Sequence, residues 1–82
     1  MQVYHFTAQG DSRQVQAVID ASDCELEIRV PWQNTRGFEN VVPGDGAVIQ
    51  CSDPGCKCCW IGDVEDVEFE EGYDLQVLVK IR

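Results

Sequence analysis

The sequence predicts an all-β domain, a small antiparallel meander folding into a sandwich or a partly open barrel, on three observations. Apolar residues recur at every second position in the two best-patterned segments. Turn-forming residues, Glu70-Glu71-Gly72 and Asp53-Pro54-Gly55, punctuate the chain between such segments. The one stretch with a helical stripe, within 12–22, reads equally well as a strand.

Taken in order, Val3 to Ala8 is a strand that buries Tyr4 and Phe6, since aromatics suit a half-buried pleated surface. Arg13 to Ala21 offers Val15, Val18 and Ile19 to a helix capped by Asp11 or Ser12, or Val15, Ala17, Ile19 and Ala21 to a strand. Pairing favours the strand. With Ser22-Asp23 as a two-residue loop, Ala21 faces Cys24, Ile19 faces Leu26, Ala17 faces Ile28 and Val15 faces Val30. Cys24, Leu26, Ile28 and Val30 form the inner face of the following strand. Pro31 to Gly46 has no period and reads as a long loop carrying Trp32, Arg36 and Phe38.

Ala47–Cys51 and Cys56–Ile61 are expected to pair across Ser52–Gly55, with Cys51 facing Cys56 and Ile49 facing Cys58. A final hairpin turns at Glu70-Glu71-Gly72, with Gly72 in the left-handed position. It sets Phe69 against Tyr73, Val67 against Leu75 and Glu68 against Asp74 on the outer face. The last strand runs from Tyr73 to Arg82 with one apolar face. Residues 1–82 make a single domain whose core is small enough for a metal, a disulfide or a partner chain to add useful stability.

Charge narrows the function classes. Fifteen acids against six bases give a net charge of −9, beyond the ~2–8 usual for a small soluble domain. Such a field repels nucleic acid and anionic membrane and attracts basic protein surfaces. No apolar run reaches the ~18 residues of a membrane span, and Met1 to Phe6 has no leader-like pattern, so the expected location is the cytoplasm, a host's cytoplasm if the protein is viral.

Five cysteines in a reducing compartment read as metal ligands or free thiols before disulfides. Cys51, Cys56 and Cys58 share one face of the expected hairpin, and with Cys24 or His5 they would offer four ligands to one zinc ion. Adjacent Cys58 and Cys59 cannot both reach it. Free thiols, or a Cys51–Cys56 disulfide, are the other readings. A redox-catalytic role finds little support, because Lys57 is the only nearby cation and Asp53 and Asp63 offset it.

From Asp63 to Asp74 there are seven acids and no base. Alternation places Asp66, Glu68 and Glu70 on one outer face beside Asp74, spaced roughly 6–7 Å apart as strand neighbours are. That spacing resembles phosphates along one DNA strand. A solvated face guarding an edge strand is the plain alternative. The single histidine, His5, lies in a strand, and no nucleophile motif or phosphate-cradling loop occurs, so no enzyme is expected.

The sequence therefore points to a non-catalytic acidic inhibitor or adaptor, a monomer or homodimer. It would dock on a basic, nucleic-acid-binding surface of a partner protein, possible forms being a phage-type anti-CRISPR-like or anti-restriction DNA mimic. Asp66, Glu68, Glu70 and Asp74 are its expected contacts, with Trp32 and Phe38 as apolar anchors in the open loop. Two alternatives stand beside it: a zinc-stabilised interaction module built on the Cys51–Cys59 hairpin, and a subunit of a virion-like assembly whose strand edges pair between copies.

Overall fold

Alternation and turns cut the chain into six antiparallel strands: β1 (Gln2–Ala8), β2 (Asp11–Ser22), β3 (Glu25–Val30), β4 (Gly46–Cys51), β5 (Cys59–Glu68) and β6 (Leu75–Ile81). In the computed structural model, which describes residues 2–53 and 55–82, they close into a barrel in the order β1-β2-β3-β6-β5-β4. β1 pairs with β4 to seal it into a closed barrel. The segment within 12–22 is strand throughout.

The long strands do two jobs each. β2 pairs with β1 through Asp11–Ala17 and with β3 through Val18–Ser22, bending around the wall. β5 does the same between β4 and β6, with a bulge between Val64 and Asp66. At the changeover sits Gly62, opposite both Ala47 and Ile81. A Cβ there would lie 2.2 Å from the Lys80 carbonyl oxygen, so only glycine lets β5 pass this close to β6.

The inward faces are those the alternation predicts. Tyr4, Phe6, Val15, Ala17, Leu26, Ile28, Val30, Ile49, Val77 and Val79 are buried in one cluster, and no charged or polar residue among those described is fully buried.

The registers differ from expectation by the same step at all three hairpins. Ala21 pairs with Leu26 and Ile19 with Ile28, because the β2–β3 loop is Asp23-Cys24, not Ser22-Asp23. Both loop residues have positive φ, 41° and 67°, the conformation of a tight two-residue hairpin turn. Ile49 pairs with Trp60 instead of Cys58, and Cys51 donates its N–H to the Cys58 carbonyl at 3.2 Å. Val67 pairs with Val77 and Glu68 with Gln76, so Glu68 does not oppose Asp74 and the expected like-charge cost is absent. Gly72 does take the left-handed conformation, at φ 88°. Pro54, the centre of the expected Asp-Pro-Gly turn, lies outside the described residues.

The β3–β4 loop folds over one end of the barrel. After a 3-10 turn at Trp32–Asn34, Phe38 and Val41 plug the opening. The Phe38 ring stands 5.2 Å from Phe6, and the Arg13 guanidinium lies 5.8 Å from one ring and 5.6 Å from the other. The Gln9 amide donates to the Asn40 carbonyl at 2.8 Å and to Asp45 at 3.0 Å. Asp45 accepts in turn from the Val42 N–H at 3.0 Å. The loop is tied down at both ends and in the middle.

Candidate functional site

Chain direction sorts the chemistry between the two ends of the barrel. The β1–β2 turn, the β3–β4 loop and the β5–β6 connection meet at one end; the β2–β3 turn, the β4–β5 connection and both chain ends lie at the other.

At the loop end, Val67–Val77 is the last well-packed apolar pair, and residues 69–74 leave the sheet. Phe69 and Tyr73, expected to face each other within the hairpin, stand out into solvent at 55% and 65% exposure. Trp32 reaches over from the β3–β4 loop to Phe69, ring centroids 5.5 Å apart at 34°. Tyr4, Phe6 and Phe38 are buried and Trp60 is half-buried, so every exposed aromatic residue of the chain is in this one place. Concentration of this kind marks an interaction surface better than single exposed side chains do.

Phe69 is the wall between two concavities. On one side, Thr35, Phe38, Glu39, Val41, Val67 and Leu75 complete an apolar cavity of about 140 Å³. Apolar cavities of roughly 150 Å³ accept a benzene-sized group, whereas sites for whole ligands run to ~300–1,000 Å³. The volume suits one side chain. On the other side, Phe69 and Tyr73 share an open depression with Glu68, Glu70 and Asp74. Three of the four acids expected to contact a partner are thus gathered around the two aromatic rings. Asp66 lies further down β5, outward and opposite Leu78. Glu70 and Asp74 sit in the connection and not on strands, so the acids form a rim and not a straight row. Trp32 is at the surface as expected. Phe38 is 4% exposed, committed to Phe6 and the cavity floor, and does not stand out in the loop.

No family model, curated protein or solved structure matches this chain. Its sites are read from geometry alone.

At the opposite end, the β4–β5 connection gathers three cysteines. The Cys51 thiol donates to the Gln2 side-chain oxygen at 3.5 Å. The turn between Cys51 and Cys58 is held by Cys56 N–H to the Asp53 carbonyl at 2.9 Å and Gly55 N–H to the Asp53 carboxylate at 2.9 Å. Polar interaction with Cys51, then with the Cys58 backbone and thiol, lowers Cys56 from its ordinary value, against burial and the Asp53 charge. The same interaction with Cys56 raises Cys51 and Cys58. Tyr4, paired with Cys51, is pushed up by burial first and by the nearby sulfurs second.

The other expected zinc ligands are elsewhere. Cys24 occupies the β2–β3 turn, on the opposite side of the barrel rim, where its carbonyl accepts from the Ile81 N–H at 2.7 Å. His5 pairs with Gln50 and points outward, away from the face Cys51 shares with Ile49. Cys59 is exposed. Among the described residues, no three His, Cys, Asp or Glu side chains are arranged to hold a metal ion, and no helix is long and apolar enough to cross a membrane.

Proposed function

We propose that the protein is a non-catalytic binding protein that docks its loop end on a basic surface of a partner protein. The observation that carries this reading is Phe69, exposed between a side-chain-sized apolar cavity and a depression lined by Glu68, Glu70 and Asp74. A partner with the complementary chemistry presents an aromatic or aliphatic side chain flanked by arginine or lysine. The apolar group fills the cavity, and the cations meet the carboxylates and the faces of Phe69, Tyr73 and Trp32. A surface that ordinarily grips nucleic acid has such cations, so occupying it would exclude nucleic acid by charge.

The test is an amide-resolved NMR titration with a peptide in which Arg and Lys flank a single Phe or Leu. Shifts should centre on Trp32, Val67–Gln76 and Glu39, and weaken steeply as salt is raised. Reversing Glu68 and Glu70 to Lys should abolish binding while the fold is kept. Equal affinity in that variant, or shifts scattered over the barrel wall, would sink the reading.

A further inference from the structure

The fifteen acids and six bases of the chain are not spread evenly over the barrel. β1 and β4 contain none of them. Ser12 to Ala17 of β2 holds one cation, Arg13, which is turned in over Phe6 and Phe38. The outward side chains of these strands meet in cross-strand rows. Ile61, Val48, Thr7 and Ser12 make one row across four strands, and Cys59, Gln50, His5 and Gln14 make the next. Val3 and Gln16 begin a third. All are exposed or half-buried, and none is an acid, a lysine or an arginine. The opposite wall carries Glu25, Glu27 and Arg29 on β3 and Lys80 on β6. Charge resumes at both borders of the neutral wall as ion pairs. Asp63 meets Arg82 at 2.7 Å beyond Ile61, and Arg29 meets Asp20 at 3.2 Å beyond Val18.

We propose that the protein self-associates through this neutral wall, the outer face of β2, β1, β4 and the start of β5, as a two-fold dimer. Two arguments select a second copy as the occupant. The first is repulsion. Chains of net charge −9 approach one another most easily where neither presents an acid, and this wall is that place. The second is self-complementarity. The carboxamides of Gln14, Gln16 and Gln50 each donate and accept, as do the hydroxyls of Thr7 and Ser12. The same face turned by a two-fold axis therefore supplies every partner the first one needs. Ile61 and Val18, 50% and 39% exposed, flank the polar rows with apolar surface.

Size sets the strength. Four strands at ~4.8 Å spacing and about six residues at ~3.3 Å give each copy a face of about 400 Å². A standard stable interface takes ~800 Å² from each partner. The dimer is accordingly weak and reversible. Phe69 and Tyr73 lie off this wall, so a dimer presents both docking ends at once.

Sedimentation equilibrium of the fully reduced protein, carried up to millimolar concentration, reads the association, and amide NMR shifts over the same series read the face. The mean mass should climb from one chain towards two, with shifts centred on β1, β4 and the Ser12 to Ala17 half of β2. Association should strengthen several-fold between ~0.1 and ~1 M salt, as the Debye length falls from about 10 to about 3 Å. That is the opposite of the salt response expected for docking at the loop end. Gln50→Glu puts an acid in the middle of the wall and should weaken association about tenfold or more. Asn40→Asp adds the same charge on an exposed loop residue off the wall and should change it less than about twofold. Circular dichroism of each variant confirms an intact barrel. A mass that stays at one chain throughout would overturn the proposal. So would association that weakens with salt, that is equal in Gln50→Glu, or whose shifts centre on Phe69 and Tyr73.

Discussion

The two ends of β5 solve the same problem in opposite ways. Each is where the strand leaves the barrel and the inward face loses its partner. At Cys59 the chain comes from a connection that carries three cysteines and is closed by backbone hydrogen bonds from Cys51 to Cys58 and from Cys56 to Asp53. At Glu68 it enters a connection that turns two large rings outward and surrounds them with carboxylates. One end is closed on its own backbone; the other is left incomplete and offers a surface. Adjacency in sequence says little here, because one ten-residue strand separates the two chemistries by roughly 30 Å at ~3.3 Å per residue.

The most severe way to break this contrast is to remove the strand that holds the ends apart. Gly62→Ala forces a Cβ to within 2.2 Å of a backbone oxygen that cannot move away alone. It should cost about 3 kcal/mol or more, and a chemical denaturation curve should show thiol protection and aromatic-end structure lost together. Loss of one end before the other would mean that β5 is not a single rigid spacer.

Phe69→Ala cuts deeper into function than into folding. A ring 55% exposed contributes little to the core, so stability should stay within about 0.5 kcal/mol. Peptide binding at the loop end should nonetheless weaken by roughly 2 kcal/mol, as for a central aromatic anchor. Calorimetry and a denaturation curve on one sample would test both statements.

A smaller effect is expected at the β2–β3 turn, which shares the cysteine end without sharing its chemistry. Asp23 and Cys24 both hold positive φ without being glycine. Replacing the pair with Asn-Gly should stabilise the barrel by about 1 kcal/mol in urea denaturation. An unchanged or lower midpoint would show that the turn holds no strain.

The smallest effect lies at the bulge on β5. Hydrogen bonding with Glu65, then its charge, raises Glu25, with Lys80 pulling the other way. A carboxyl raised on folding binds its proton more tightly in the barrel than in the unfolded chain. The pair therefore opposes folding at neutral pH, and that opposition fades as pH falls through the folded pKa of Glu25. Glu65→Gln should raise the thermal midpoint slightly at neutral pH, and the gain should vanish on acidification. Asp63 runs the opposite way. Its hydrogen bonds to Arg82, at 2.7 and 3.2 Å, lower it, so its contribution is present at neutral pH and lost as pH falls through its folded pKa.

Much of this barrel was legible in the residues, and the part that was not has a common cause. Alternation decides which face a residue takes, and Tyr4, Phe6, Leu26, Ile28, Val77 and Val79 all point inward as their spacing demands. Alternation is blind to a slip of two, however, because such a slip keeps every face. Ala21 therefore meets Leu26 instead of Cys24, and Val67 meets Val77 instead of Leu75, at no cost in burial. The same slip carried Phe69 and Tyr73 out of the sheet, which is why the aromatic wall of the loop end was missed. Burial of Phe38 was hidden for another reason: it depends on Phe6 and Arg13, far off in sequence.

The tryptophans are divided between the two ends. Trp32 leans on Phe69, and Trp60 stands 6.5 Å from Tyr4, whose strand partner is Cys51. The molecule thus carries a native fluorophore at each pole. In Trp60→Phe the remaining emission reports peptide docking; in Trp32→Phe it reports on the cysteine end. Two single-tryptophan variants, with no dye attached, would show in real time whether the poles ever speak to each other.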